Sequence, residues 1–204
     1  QHSYHKLVTE NQKMTVQTNP DLAWMIEAKK HVGLREVPGA KHNVTIQEWL
    51  EELGAWWKDD ETPWCGVFTA ICLKRADLKR GSVNSRSKNY VPGTKAGSGF
   101  YPYNWYGAGE YRIEGGRKLD KPCYGCVAVK SRNGGNHVTF VAGRTADGRL
   151  VCLGGNQSNA VSYAVYRESD FDTFMWYGRT ANPAPHRFDL PNIVDVSSTK
   201  VTES

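Results

Sequence analysis

No apolar run of about eighteen residues occurs anywhere in the chain, so no membrane-spanning helix is expected. The opening stretch "QHSYHKLVTENQKM" lacks the apolar core of a secretory signal and shows no hydrophobic period. Met14 is a candidate natural start, with residues 1–13 then an added or ordered tail. Neither GxGxxG nor GKS/T is present, which argues against a site for nucleotide phosphates. Lys and Arg form no dense block, so a nucleic-acid-binding arm is not expected. Cysteine is sparse and odd in number: five, at 65, 72, 123, 126 and 152. A disulfide-stapled secreted domain would more often show an even set, and a reducing compartment is the expected place of synthesis. There is no internal repeat.

What is present is one core's worth of apolar residues, 39% of a 204-residue chain. Twenty Gly, nine Pro, ten Tyr and seven Trp indicate a turn-rich α+β protein with an aromatic surface or groove. The formal charge of +5 suits an acidic polymer, such as nucleic acid or a bacterial envelope, without selecting either.

Residues 1–18 read as a polar tail. A helix is expected over "NPDLAWMIEAKKHVGL", with Asn19 as N-cap and Pro20 in its first turn. "VTIQEWLEELGAWW" gives a second helix ending near Gly54, and a third runs from Pro63 to Ala76. Residues 79–120 are rich in Gly, Ser, Asn and aromatics; they read as long ordered loops with one short helix, forming a wall of a binding cleft. After Pro122 the pattern turns to strands: "GCVAVKSR", "HVTFVAGRT", "RLVCLGGN", "AVSYAVYR" and "FMWYGRT". Helices first and an antiparallel meander second make a segregated α+β fold, a single domain over 19–180. Residues 181–204 read as a proline-broken tail.

Three short pieces carry chemistry. In "TPWC", Thr62 is a candidate N-cap and Pro63 suits the first turn. Cys65 then lies where free backbone N–H groups and the helix dipole lower a thiol's pKa. For a lone cysteine, burial in the core is the commoner role, and Cys72, beside Val67, Phe68 and Ile71, keeps that reading. His137 alone among six histidines stands where a loop becomes a strand, between "NGGN" and "VTFV". Asn156 follows "LVCLGG" at the end of the next strand. A thiol hydrolase needs a thiolate, an imidazole that takes and returns the proton, and a polar group that orients the ring. Asn156 is the first choice for that last role and Gln157 the weaker one.

Two side motifs leave alternatives open. "CYGC" places Cys123 and Cys126 as a CxxC pair, which suits zinc with Cys152 as third ligand, a redox dithiol, or plain strand packing. No second CxxC or His pair completes a zinc set, and packing is preferred. The acidic run Asp59–Asp60–Glu61 lacks the alternating oxygens of a calcium loop, and reads as a solvated loop or a group steering a substrate amine. No metal and no cofactor is expected.

"DETPWCGVF" (60–68), "GGNHVTFV" (134–141) and "VCLGGNQSNAV" (151–161), with "AKKHVGLREVPG" (28–39), together resemble the papain-like cell-wall hydrolases of the NlpC and CHAP type. They are most similar to a group of small phage and prophage proteins with a "DETPWC…HV…LGGNQ" pattern. The resemblance covers about residues 20–180. It implies a papain-like fold and a phage endolysin, a cysteine peptidase that cuts an amide in the stem peptide or cross-link of peptidoglycan. Cys65 would be nucleophile, His137 base then acid, Asn156 the orienting residue, and the Cys65 N–H part of the oxyanion hole. Trp64, Tyr101, Tyr103, Trp105, Tyr106 and Gln157 would bind substrate. A Pro-Gly-Asp turn usual before the histidine strand is here "KPCYGC". The alternatives are an N-acetylmuramoyl-L-alanine amidase on the same fold, a toxin amidase with an immunity partner, and a catalytically silent wall-binding or virion module. The expected partner is bacterial peptidoglycan, with no nucleic acid and no stable membrane insertion. The protein is expected as a monomer, made in a host cytoplasm and acting on the periplasmic wall once the membrane is permeabilised.

Overall fold

The computed structural model describes residues 20–81, 99–194 and 196. Three helices come first: α1 (Ala23–Lys30), α2 (Val44–Leu53) and α3 (Cys65–Arg75). Two short strands, β1 (Lys79–Arg80) and β2 (Phe100–Tyr101), pair in parallel. A 3-10 turn follows at Ala108–Arg112. The remaining strands are β3 (Arg117–Leu119), β4 (Val127–Arg132), β5 (Gly135–Arg144), β6 (Leu150–Gly154), β7 (Ser162–Tyr166) and β8 (Thr173–Trp176). They form one six-stranded antiparallel sheet in the order β3-β8-β4-β5-β6-β7. The fold is therefore α+β, helices N-terminal and sheet C-terminal. The last strand does not simply extend the meander; β8 returns to lie between β3 and β4.

The helix starts differ in how they are made. Asn43 caps α2, its Oδ1 accepting from the Thr45 and Ile46 N–H groups at 2.9 and 3.3 Å. The expected cap of α1, Asn19, lies outside the described residues. Helix α3 begins at Cys65 rather than Pro63, with Trp64 as N-cap and no side-chain cap. Thr62 is turned away from that role: its N–H and Oγ1–H both donate to Asp59 Oδ1, at 2.7 and 2.8 Å. An Asx turn has taken the residue that would have capped the helix.

Every residue from Cys65 to Leu73 is buried, so α3 is the central helix rather than an amphipathic surface one. It packs on β5 through Phe68 and Phe140, ring centroids 6.4 Å apart, and on α2 through Trp49. Side chains of this size each contribute about 1.5–3 kcal/mol on burial, which outweighs the missing cap. Cys72, fully buried, belongs to this core.

The acidic run is not a solvated loop. Asp60 is fully buried and accepts from the Val37 N–H (2.9 Å), the Asn43 N–H (2.6 Å) and His42 Nδ1–H (2.8 Å). Glu61 accepts from the Gly39 N–H at 2.9 Å. The run therefore ties the 35–43 loop to the approach of α3. The segment after residue 180 also belongs to the body: Arg144 N–H donates to Pro191 O at 2.8 Å and Ile193 N–H to Arg144 O at 2.7 Å, and Phe188, Leu190 and Ile193 pack on the core. It is a strap along β5, not a tail, at least as far as Ile193. Among the described residues, no helix is long and apolar enough to cross a membrane.

Candidate active site

Cys65 opens α3 at the point where that helix meets β5. The backbone N–H of Val138, the residue after His137, faces the sulfur closely enough to favour its charged form. The β5–β6 register ends at Phe140 and Leu153, two residues short of Val138. Burial pushes the Cys65 thiol up; the Val138 N–H, the Arg132 charge and the N–H groups of Gly66 and Cys65 itself pull it down without offsetting burial. The expectation of a lowered pKa is thus corrected. With Cys65 only 3% exposed, desolvation outweighs the helix-start donors.

His137 lies on β5 and is fully buried. Alternation along the strand places Val138 and Phe140 on the α3 face and His137 and Thr139 on the other. There the His137 Nε2 meets Gln157 Oε1 at 3.2 Å. Thr139 Oγ1–H and Tyr166 O–H donate to the same oxygen, each at 3.1 Å. The Gln157 Nε2 donates to the carbonyls of Ser162 (2.6 Å) and Cys152 (3.4 Å). Those two carbonyls can only accept, which fixes which end of the amide is oxygen. The oxygen in turn requires that His137 Nε2 carry a proton, so the neutral ring has its lone pair on Nδ1.

The ring's orienting partner is therefore Gln157, not Asn156. Asn156 takes a turn conformation, φ 56°, followed by Ser158 and Asn159 at 52° and 58°. This run of left-handed residues swings the chain back so that Gln157 points under the sheet. The two glycines before it are set by space. A Cβ on Gly154 would lie 2.5 Å from Thr139 Oγ1, and one on Gly155 would lie 2.4 Å from Phe68 Cβ. "GGNQ" is thus a close approach on both faces followed by a turn that delivers an amide.

The aromatics divide. Trp64 is fully buried, its Nε1–H donating to Glu36 Oε2 at 3.2 Å, and Tyr101 and Trp105 are buried at 4% and 3% exposure. These three are core, not cleft lining. Tyr103 and Tyr106 are the exposed ones, each at 38%. Gln157, expected to touch substrate, is buried as the ring's holder. Thr139 and Tyr166 escaped the sequence reading altogether. Their only signal was alternation, Thr139 two residues after His137 and Tyr166 on the same face of its strand. The backbone of residues 105–106 closes on the helix start: a Cβ on Gly66 would lie 2.6 Å from Trp105 O and 2.9 Å from Tyr106 O. Tyr111 O–H donates to Gly66 O at 2.9 Å from the same side.

Cys123, Cys126 and Cys152 are all buried free thiols, and burial pushes Cys126 and Cys152 well up. Among the described residues no group of three or more His, Cys, Asp or Glu is placed to hold a metal ion. Comparison with protein-family models, with curated proteins and with solved structures finds no match to this chain.

Proposed function

We propose that this protein is a papain-type cysteine hydrolase of peptidoglycan, an endolysin-like enzyme that cuts an amide of the stem peptide or cross-link. The observation that supports it is the meeting of the Cys65 thiol with the backbone beside His137, while Gln157 holds the ring by Nε2. In this reading the sulfur attacks the carbonyl carbon; because alternation along β5 sets His137 on the face away from α3, the thiol's proton reaches the His137 ring through a rearrangement of the strand end rather than across a preformed bond. Because burial disfavours a free thiolate, transfer and attack are coupled rather than preceded by a standing ion. The Cys65 N–H, in the first turn and outside the helical ladder, supports the oxyanion. The C–N bond breaks, the imidazolium protonates the leaving amine, and His137 then activates water to release the acid.

Clearing of purified sacculi by the parent and by Cys65→Ala tests this, with mass spectrometry of the released muropeptides naming the bond and separating peptidase from amidase. Equal clearing by the two proteins overturns it.

The depth of Cys65 favours a second reading, a catalytically silent wall-binding module on the same fold. Thiol alkylation at neutral pH separates the two. In the hydrolase, Cys65 reacts ahead of the other four cysteines and His137→Ala slows it; in the silent module the substitution changes nothing.

A further inference from the structure

Trp56 is 73% exposed, by far the most exposed large aromatic among the described residues. An indole left in water forgoes most of the stabilisation its burial would bring. It is nevertheless held in place. Trp57 meets it at 4.6 Å and 71°, and Tyr106 at 4.8 Å and 83°, both edge-to-face. Trp57 in turn stacks on buried Trp105 at 5.8 Å and 29°. The result is a floor and a wall at right angles, anchored in the core, with at least one indole face bare. Tyr106 carries this corner to the candidate active site, because its carbonyl and that of Trp105 press on Gly66, the residue after Cys65.

We propose that Trp56 and Tyr106 form a carbohydrate subsite that stacks an N-acetylated amino-sugar ring of the glycan strand beside Cys65; the assignment rests on peptidoglycan being the substrate. A pyranose has a flat C–H face of about the size of an indole and equatorial polar groups that stay in water. It needs a rigid exposed ring and no enclosed pocket, which is what this corner supplies. A protein partner would call for a broader apolar patch, and the chain neighbours Gly54 and Lys58 are exposed without adding one. Through the Tyr106 backbone the subsite adjoins Gly66, the residue after Cys65, and the stem peptide attached to the sugar would run from there toward the start of α3.

The test uses full-length Cys65→Ala, which binds without turnover, and soluble N-acetylglucosamine oligomers as probe. Oligomer titration should change tryptophan emission, and Trp56→Ala in the same background should weaken binding by about tenfold and remove that change. Trp56→Tyr should restore most of the affinity, and the Tm of all three should agree. Equal binding by the Trp56→Ala protein overturns the subsite, as does retention on phospholipid vesicles with none on the oligomers. Failure of the hydrolase reading appears separately, as parent protein that never clears sacculi.

Discussion

His137 and His42 each give a ring N–H to a side-chain oxygen, yet one oxygen belongs to an amide and the other to a carboxylate. His137 bonds Gln157 at 3.2 Å in a fully buried setting. His42 bonds Asp60 at 2.8 Å, with its own side chain 23% exposed. A carboxylate partner adds charge to the bond and shortens it. An amide fixes orientation and tautomer while adding no charge. His42–Asp60 ties down a loop, and His137–Gln157, on the hydrolase reading proposed above, holds a ring that changes state.

The sharpest break between them is functional. His137→Ala should lower sacculus clearing by about a thousandfold, the scale of a lost general base and acid, while His42→Ala should leave the rate within about twofold at a temperature where both are folded. Turbidity loss on purified sacculi measures both. Comparable losses would mean that His42 acts in chemistry or that His137 does not.

Next in size is Gln157→Ala, expected to cost about a hundredfold in kcat with little change in KM, since it frees the ring without touching substrate. Gln157→Glu replaces the amide oxygen by a carboxylate and should shift the acid limb of the pH–rate profile upward, because the charged ring gains a partner. A profile that does not move would show that Gln157 supports the sheet and not the ring.

On the carboxylate side, Asp60→Asn should leave chemistry alone and lower stability by about 2–3 kcal/mol, read as a fall in Tm. Burial alone would push the Asp60 carboxyl up, but the N–H groups of Val37 and Asn43 and the His42 ring bring it below its ordinary value of 3.8. Its folded pKa is depressed, so its contribution is complete above that ordinary value and is lost as pH falls below it toward the folded one. Parent and variant should converge in acid through that window. Glu27 adds to the same limb: burial pushes it up, but Arg75, His31 and Lys30 hold it at about 2 against an ordinary 4.5.

Much of this was legible in the residues, and what was not has identifiable physical causes. The helix–sheet order, Cys72 as core and the placing of His137 on a strand follow from periodicity, which burial in this fold respects. Thr62 misled because Ser and Thr caps compete with Asx turns, and Asp59 three residues earlier won. The thiol pKa misled because a helix start is visible in sequence whereas desolvation depends on tertiary packing, which leaves Cys65 only 3% exposed. Asp60 read as solvated because its three donors come from 37, 42 and 43, a separation no local pattern reveals.

Asn156 and Gln157 are adjacent amides, and only backbone conformation decides which one reaches the ring. At φ 56° Asn156 sits in the left-handed region, which Asn and Gly tolerate and Ala does not. Asn156→Gly should therefore leave clearing unchanged and stability within about 0.5 kcal/mol. Asn156→Ala should cost about 1 kcal/mol in stability, still with its kcat intact once folded. Both follow from a turn role, because neither variant touches the bonds Gln157 makes to His137, Thr139 and Tyr166. A hundredfold fall in kcat for Asn156→Gly, matching Gln157→Ala, would return the orienting role to Asn156. It would also mean that the loop rearranges in solution so that the amide one residue earlier faces the imidazole.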